Sequence, residues 1–142
     1  MATIRATLAE GTAVTITNGR HEWSGDEPLS AGGTDTGPTP YELLLGSLAA
    51  CTVITLVLYS RHKGIDIASI SASYEFDRIH ADDCEDCEDD QKGFIDRISS
   101  NVEIEGQFDE AQRKRLTQIV GRCPVHKTLE RPVKMEDFVS FV

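Results

Sequence analysis

The sequence predicts an α+β fold in which mostly antiparallel strands gather around one long buried helix. Three observations lead there. Leu43 to Tyr59 is an uncharged run with apolar residues on every face, the pattern of a helix buried all round. Segments on either side alternate β-favouring residues, over 3–17 (TIRATLAEGTAVTIT), 67–79 (IASISASYEFDRI) and 94–105 (FIDRISSNVEIE). Between strands stand Glu10-Gly11 and Asn18-Gly19, pairs that favour tight turns. With 142 residues and no repeat or linker, residues 1–142 read as a single domain large enough for a real core.

In chain order, 3–17 reads as a β-hairpin, and RHEWSGDEPLSAGG as one more short strand and a loop. Gly37, Pro38 and Pro40 then break regular structure, and Pro40 suits a first helical turn because the N–H it lacks has no partner there. Thr39 reads as the N-cap and Glu42 faces the positive end of the helix dipole. Gly64 closes the helix, with Arg61, His62 and Lys63 at its negative end. On the strand 67–79, Ile70, Ala72, Tyr74 and Phe76 share a face. The acidic HADDCEDCEDDQKG reads as a loop or hairpin tip before the strand 94–105. Asp109 opens a second helix that buries Leu116, Ile119 and Val120 and ends near Gly121. Pro124 starts a short third helix, and VKMEDFVSFV reads as a last strand.

A helix this apolar has more surface than one small sheet covers, which predicts a homodimer sharing it. The uncharged run is shorter than the roughly 20 residues a bilayer needs, and Ser47, Thr52 and Thr55 dilute it; it reads as a soluble core, with no membrane partner. Apolar content of 39% and charged content of 27% are ordinary for a globular chain, while a net charge of −10 argues against nucleic acid or anionic membrane. MATIRATLAEG has no apolar core of a signal peptide. A cytoplasmic, reducing setting is the default, and there four cysteines point to reactive, metal-binding or buried thiols.

Cys123 precedes Pro124 and so sits at a helix N-cap, where free amides and the dipole lower a thiol pKa. Cys51 lies about three turns inside its helix. If reactive, it needs a cation brought from elsewhere, with Arg20 the first candidate and Arg122 the second. The plainer reading makes Cys51 a small buried apolar residue and Cys123 an ordinary loop cysteine. Trp23, Tyr59 and Tyr74 read as core or interface packing.

GGTDTGPTPYELLLGSLAAC, followed much later by RCPVHKTL, resembles the OsmC/Ohr family of thiol-dependent peroxidases. The resemblance implies an intertwined homodimer with active sites at the subunit interface, and no required cofactor. It implies Cys51 as the peroxidatic thiolate, oxidised to a sulfenic acid by an organic hydroperoxide, and Cys123 as the thiol that closes a disulfide with it. A dithiol or lipoyl-type reductant would restore the pair, with Arg20 as the thiolate-stabilising cation and Glu42 as its orienter. The chain departs from the organic-hydroperoxide branch in three places. The glutamate that follows the proline there is Tyr41 here, with Glu42 one residue later, a rotation of about 100° on a helix. Arg20 lies in NGRHEW, without a clear counterpart, and His126 follows CPV where many relatives carry serine. His126 reads either as an acid or cation for Cys123 or as a surface residue. The chain is thus closer to a less characterised OsmC-like branch.

RIHADDCEDCEDD is a second cluster. His80, Cys84 and Cys87 are ligand types that zinc accepts, with Asp82, Asp83 or His21 as a fourth. A reversible CxxC disulfide and an inert acidic loop are the competing readings. Two functions therefore stand beside the peroxidase: a non-enzymatic module binding a small ligand, and a metal or redox sensor working through His80, Cys84 and Cys87.

Overall fold

The structure, a computed structural model, describes residues 1–84 and 93–142. Its strands are β1 (Arg5–Glu10), β2 (Ala13–Thr17), β3 (Glu22–Gly25), β4 (Ser69–His80) and β5 (Phe94–Glu105). Its helices are α1 (Pro40–Lys63), α2 (Glu110–Val120) and α3 (Pro124–Leu129). The chain forms two compact units, Met1–Gly46 with Phe76–Arg97, and Ser47–Glu75 with Ile98–Val142. α1, β4 and β5 each contribute residues to both.

In the first unit β1, β2 and β3 form an antiparallel sheet in that order, with Thr7 opposite Thr15 and Ile16 opposite Trp23. Both predicted turns are present. Gly11 and Gly19 take positive φ, and the Asn18 side chain accepts from the amides of Arg20 and His21 at 2.9 and 2.8 Å. The approach to α1 is tied to a buried carboxylate. Asp26 accepts from the hydroxyls of Thr12, Thr34 and Thr36 and from the amides of Glu27, Thr34 and Thr36. Gly33 fits there because a Cβ would lie 1.9 Å from the Glu27 carbonyl oxygen. Tyr41 stacks on Phe76 with ring centroids 4.4 Å apart.

In the second unit Leu56, Leu116 and Ile119 form the buried core, flanked by Tyr59, Ile67, Ile70, Val102, Ile104 and Phe108. Each such leucine contributes about 1.5–3 kcal/mol by leaving water. β4 and β5 form a two-stranded sheet. Ser69 reaches Glu105 and Ser71 reaches Glu103, so one strand runs against the other. Asp109 caps α2 reciprocally with Gln112. The end of α1 is a Schellman turn: Gly64, at φ 65°, donates to Arg61, and Ile65 donates to Ser60.

Two expectations need correction. Within one chain α1 is not buried all round; only the stripe Leu48, Thr52, Leu56 and Ser60 is, while Ile54 and Leu58 are 56% and 58% exposed. One helix turned toward one core covers one stripe, as residues four apart share a face. By length and composition alone α1 is apolar enough to cross a membrane. The last predicted strand is absent: 132–142 has no regular structure, and Phe138 and Phe141 are 94% and 95% exposed. A strand exists only by pairing, and among the described residues nothing pairs with this segment.

Candidate active site

Two helices of the second unit bring the free thiols together. Cys51 lies midway along α1 and is partly exposed, whereas Cys123, at the N-cap of α3, is wholly buried. They lie close enough for each sulfur to act on the acidity of the other. The sequence folds this way locally because Pro124 takes the first position of α3 without donating an amide. The next free amides are those of Val125 and His126. Cys123 makes no side-chain cap bond, and the amides of His126 and Val125 act on its thiol through the field of the helix opening, lowering it.

The two thiols differ in acidity. Burial pushes the Cys51 thiol up, and the neighbouring Cys123 sulfur adds to this, against the Val125 amide and the Thr55 hydroxyl. Burial also pushes Cys123 up, but Cys51, the amides of His126 and Val125 and the Thr52 hydroxyl together outweigh it and bring the thiol below its usual value. Thus Cys123 holds charge more readily, while Cys51 is the sulfur that solvent reaches.

Arg20 and Glu42 belong to the first unit. Arg20 is exposed in the β2–β3 turn, and its amide donates to Asn18. Glu42 accepts from the Thr39 amide at 2.8 Å, and its own amide donates to the Thr39 hydroxyl at 3.3 Å. Among the described residues neither Arg20 nor Glu42 forms an ion pair. Arg122 is exposed, with its amide donated to Ile119. The His126 ring is held by Glu130 at 2.9 Å, so His126 meets Cys123 through its backbone.

At the second cluster His80 Nδ1 lies 3.2 Å from the Asp82 carboxylate, and the His80 ring meets Phe94 edge-on. Cys84 is disulfide-bonded, and in that state its sulfur is no thiolate ligand. Cys87 lies outside the described residues. Among the described residues no cluster of three or more His, Cys, Asp or Glu side chains is arranged around a metal position.

Two polar residues meet in a way their sequence context does not announce. Thr52 is wholly buried, and its hydroxyl lies 2.7 Å from that of Tyr74. The available signal was the presence of Thr52 and Thr55 in an otherwise apolar run, one and four residues after Cys51.

A family model described as OsmC-like protein matches residues 33–136. No curated protein sequence matches the chain. Among solved structures, an OsmC-like protein from Mycoplasma pneumoniae is similar at 26% identity and a TM-score of 0.71, covering 92% of this chain and 87% of that one. An organic hydroperoxide resistance protein from Legionella pneumophila aligns at 18% identity and a TM-score of 0.63, over 91% and 88%. The organic hydroperoxide resistance protein OhrB of Bacillus subtilis aligns at 19% identity and a TM-score of 0.59, over 90% and 89%.

Proposed function

We propose, from the premise that this chain belongs to the OsmC-like protein family, that it reduces organic hydroperoxides through the dithiol of Cys51 and Cys123. Neighbours described as organic hydroperoxide resistance proteins support a peroxide-related role in general. One observation carries the finer reading: two free thiols, one reachable and one sealed, lie near enough to shift each other's acidity. Access makes Cys51 the nucleophile, although Cys123 is the more acidic. The Cys51 thiolate attacks the peroxide O–O bond, taking one oxygen as a sulfenic acid and releasing the alkoxide, which is protonated to the alcohol. Cys123 then attacks the Cys51 sulfur and closes the disulfide.

Because burial works against charge on Cys51, the nucleophile needs a cation. Arg20, exposed and without an ion pair among the described residues, is the arginine we assign, with Glu42 as its orienter. A second copy of the chain covers the exposed apolar face of α1. A dithiol or lipoyl-type reductant reopens the disulfide in a cytoplasmic setting, and the chemistry needs no metal or other cofactor.

The test is titration with cumene hydroperoxide while free thiols are counted in the parent, Cys51→Ser and Cys84→Ser. Stoichiometric loss that requires Cys51 and ignores Cys84 supports the reading. Thiols that survive in the parent overturn it.

A further inference from the structure

Arg115, on α2, is a half-buried cation held only by neutral groups. Its Nε donates to the Tyr59 hydroxyl at 3.2 Å, and its Nη1 donates to the Gln118 side-chain oxygen at 3.1 Å. The guanidinium carbon lies 5.7 Å from the centre of the Tyr59 ring, within range of a cation–π attraction. Two of the five N–H groups of a guanidinium are thus used, and among the described residues no carboxylate takes the others. The Tyr59 hydroxyl accepts from Arg115 and keeps its own proton to donate. A guanidinium fixed in this way presents a charged fork that matches the two oxygens of a carboxylate.

Tyr59 belongs to α1, as Cys51 does. Cys51, Thr55 and Tyr59 follow one another at intervals of four residues and so form one ridge of the helix, and all three are half-buried. The ridge borders the exposed apolar side of Ile54 and Leu58. At 1.5 Å of rise per residue its ends stand about 12 Å apart. We propose that Arg115 and Tyr59 form a carboxylate-binding subsite, which selects organic hydroperoxides that carry an acid at their far end. The alkyl chain between the two groups lies along the ridge. A hydroperoxide on the order of ten carbons from its carboxylate matches that span, as in a fatty acid oxidised at mid-chain. The inference rests on the peroxidase reading above and keeps its chemistry. The O–O bond breaks, an S–O bond forms at Cys51, and the sulfur is oxidised as the peroxide is reduced. The departing alkoxide takes a proton from solvent and leaves as a hydroxy acid.

Arg115 also braces α2 against α1, through Tyr59. A brace acts on every substrate alike, whereas a group that binds the carboxylate separates an acid from its ester. The experiment compares oleic acid hydroperoxide with its methyl ester, below micellar concentration, in the parent, Arg115→Gln, Arg115→Lys and Tyr59→Phe. In the parent the KM of the ester exceeds that of the acid by about tenfold, the worth of one charge-assisted contact, at similar kcat. Arg115→Gln removes this ratio by raising the KM of the acid. Arg115→Lys, which keeps the charge but not the fork, restores part of it, and Tyr59→Phe loses less than Arg115→Gln. Oleate, which bears no peroxide, competes with the acid substrate in the parent and not in Arg115→Gln.

Equal KM values for acid and ester in the parent overturn the subsite, even if no variant folds. An Arg115→Gln protein that loses affinity for both substrates and keeps their ratio makes Arg115 a brace, and overturns it as well. Either result leaves the reduction of cumene hydroperoxide, and with it the peroxidase reading, standing. A parent whose thiols survive every one of these hydroperoxides sinks the peroxidase reading, and the choice of substrate with it.

Discussion

Thr39 and Glu42 hold each other across the first turn of α1, each amide donating to the other's side chain. This reciprocal box satisfies two amides that a helix N-terminus otherwise leaves open. Glu42 therefore has a structural task as well as the orienting one proposed for it, and substitution separates them. Glu42→Ala costs about 1 kcal/mol of unfolding free energy by losing the cap, read from the denaturant midpoint. Glu42→Gln keeps a capping side chain and removes the charge. Its stability stays near the parent's, while cumene hydroperoxide reduction slows.

Among the described residues Arg20 hydrogen-bonds in the β2–β3 turn through its backbone alone, so its side chain is removable without loss of the hairpin. Arg20→Ala slows the reaction of Cys51 with peroxide by about tenfold, the effect of raising a thiol pKa by one unit. Arg20→Lys retains most of the rate. The pH–rate profile checks this: the Arg20→Ala profile is displaced toward alkaline pH, with the same plateau once the thiol is fully ionised.

Asp26 ties the loop before α1, and the hydroxyls of Thr12 and then Thr34 do most to hold its carboxyl far below the ordinary 3.8, against burial. The folded value lies below the unfolded one, so the stabilisation is complete above the unfolded value and is lost as pH falls toward the folded one. Asp26→Asn is less stable than the parent at neutral pH, because its amide nitrogen faces donors with a donor. The difference narrows below about pH 4, where the parent begins to lose its advantage. Thermal melts of both proteins from neutral to acid pH test the sign.

The exposed side of α1 gives a solution prediction. The parent sediments as a dimer at micromolar concentration. Ile54→Glu and Leu58→Glu place charges on the face assigned to the second copy and shift sedimentation toward monomer. Leu56→Ala acts differently: it opens the core of its own unit and costs about 2–5 kcal/mol in stability.

Much of the fold is legible in the residues because local chemistry and tertiary packing agree. Thr39, Pro40 and Gly64 mark the ends of α1, Asp109 opens α2, and Phe94 and Glu105 bound β5 where the alternation begins and ends. Cys123 at an N-cap follows from Pro124 alone. The C-terminal segment misleads because alternating Val, Met and Phe is only half of a strand; the other half is a partner edge, which no local pattern supplies. Burial of α1 misleads for a related reason: composition tells which residues avoid water, not which of them one chain has the surface to cover. The Thr52–Tyr74 contact stayed hidden because it joins positions far apart in sequence, and a lone threonine in an apolar run reads as dilution.

Pro124 has a consequence for the oxidised protein. With no amide of its own, it leaves Val125 and His126 as the first donors of α3, and both act on the Cys123 sulfur. A disulfide sulfur carries no charge for those amides to stabilise, so closing the bond withdraws what the opening turn of this six-residue helix lends a Cys123 thiolate. The cross-link is therefore easier to reopen than one between two unassisted thiols, because its leaving sulfur is the one the helix helps to hold as an anion.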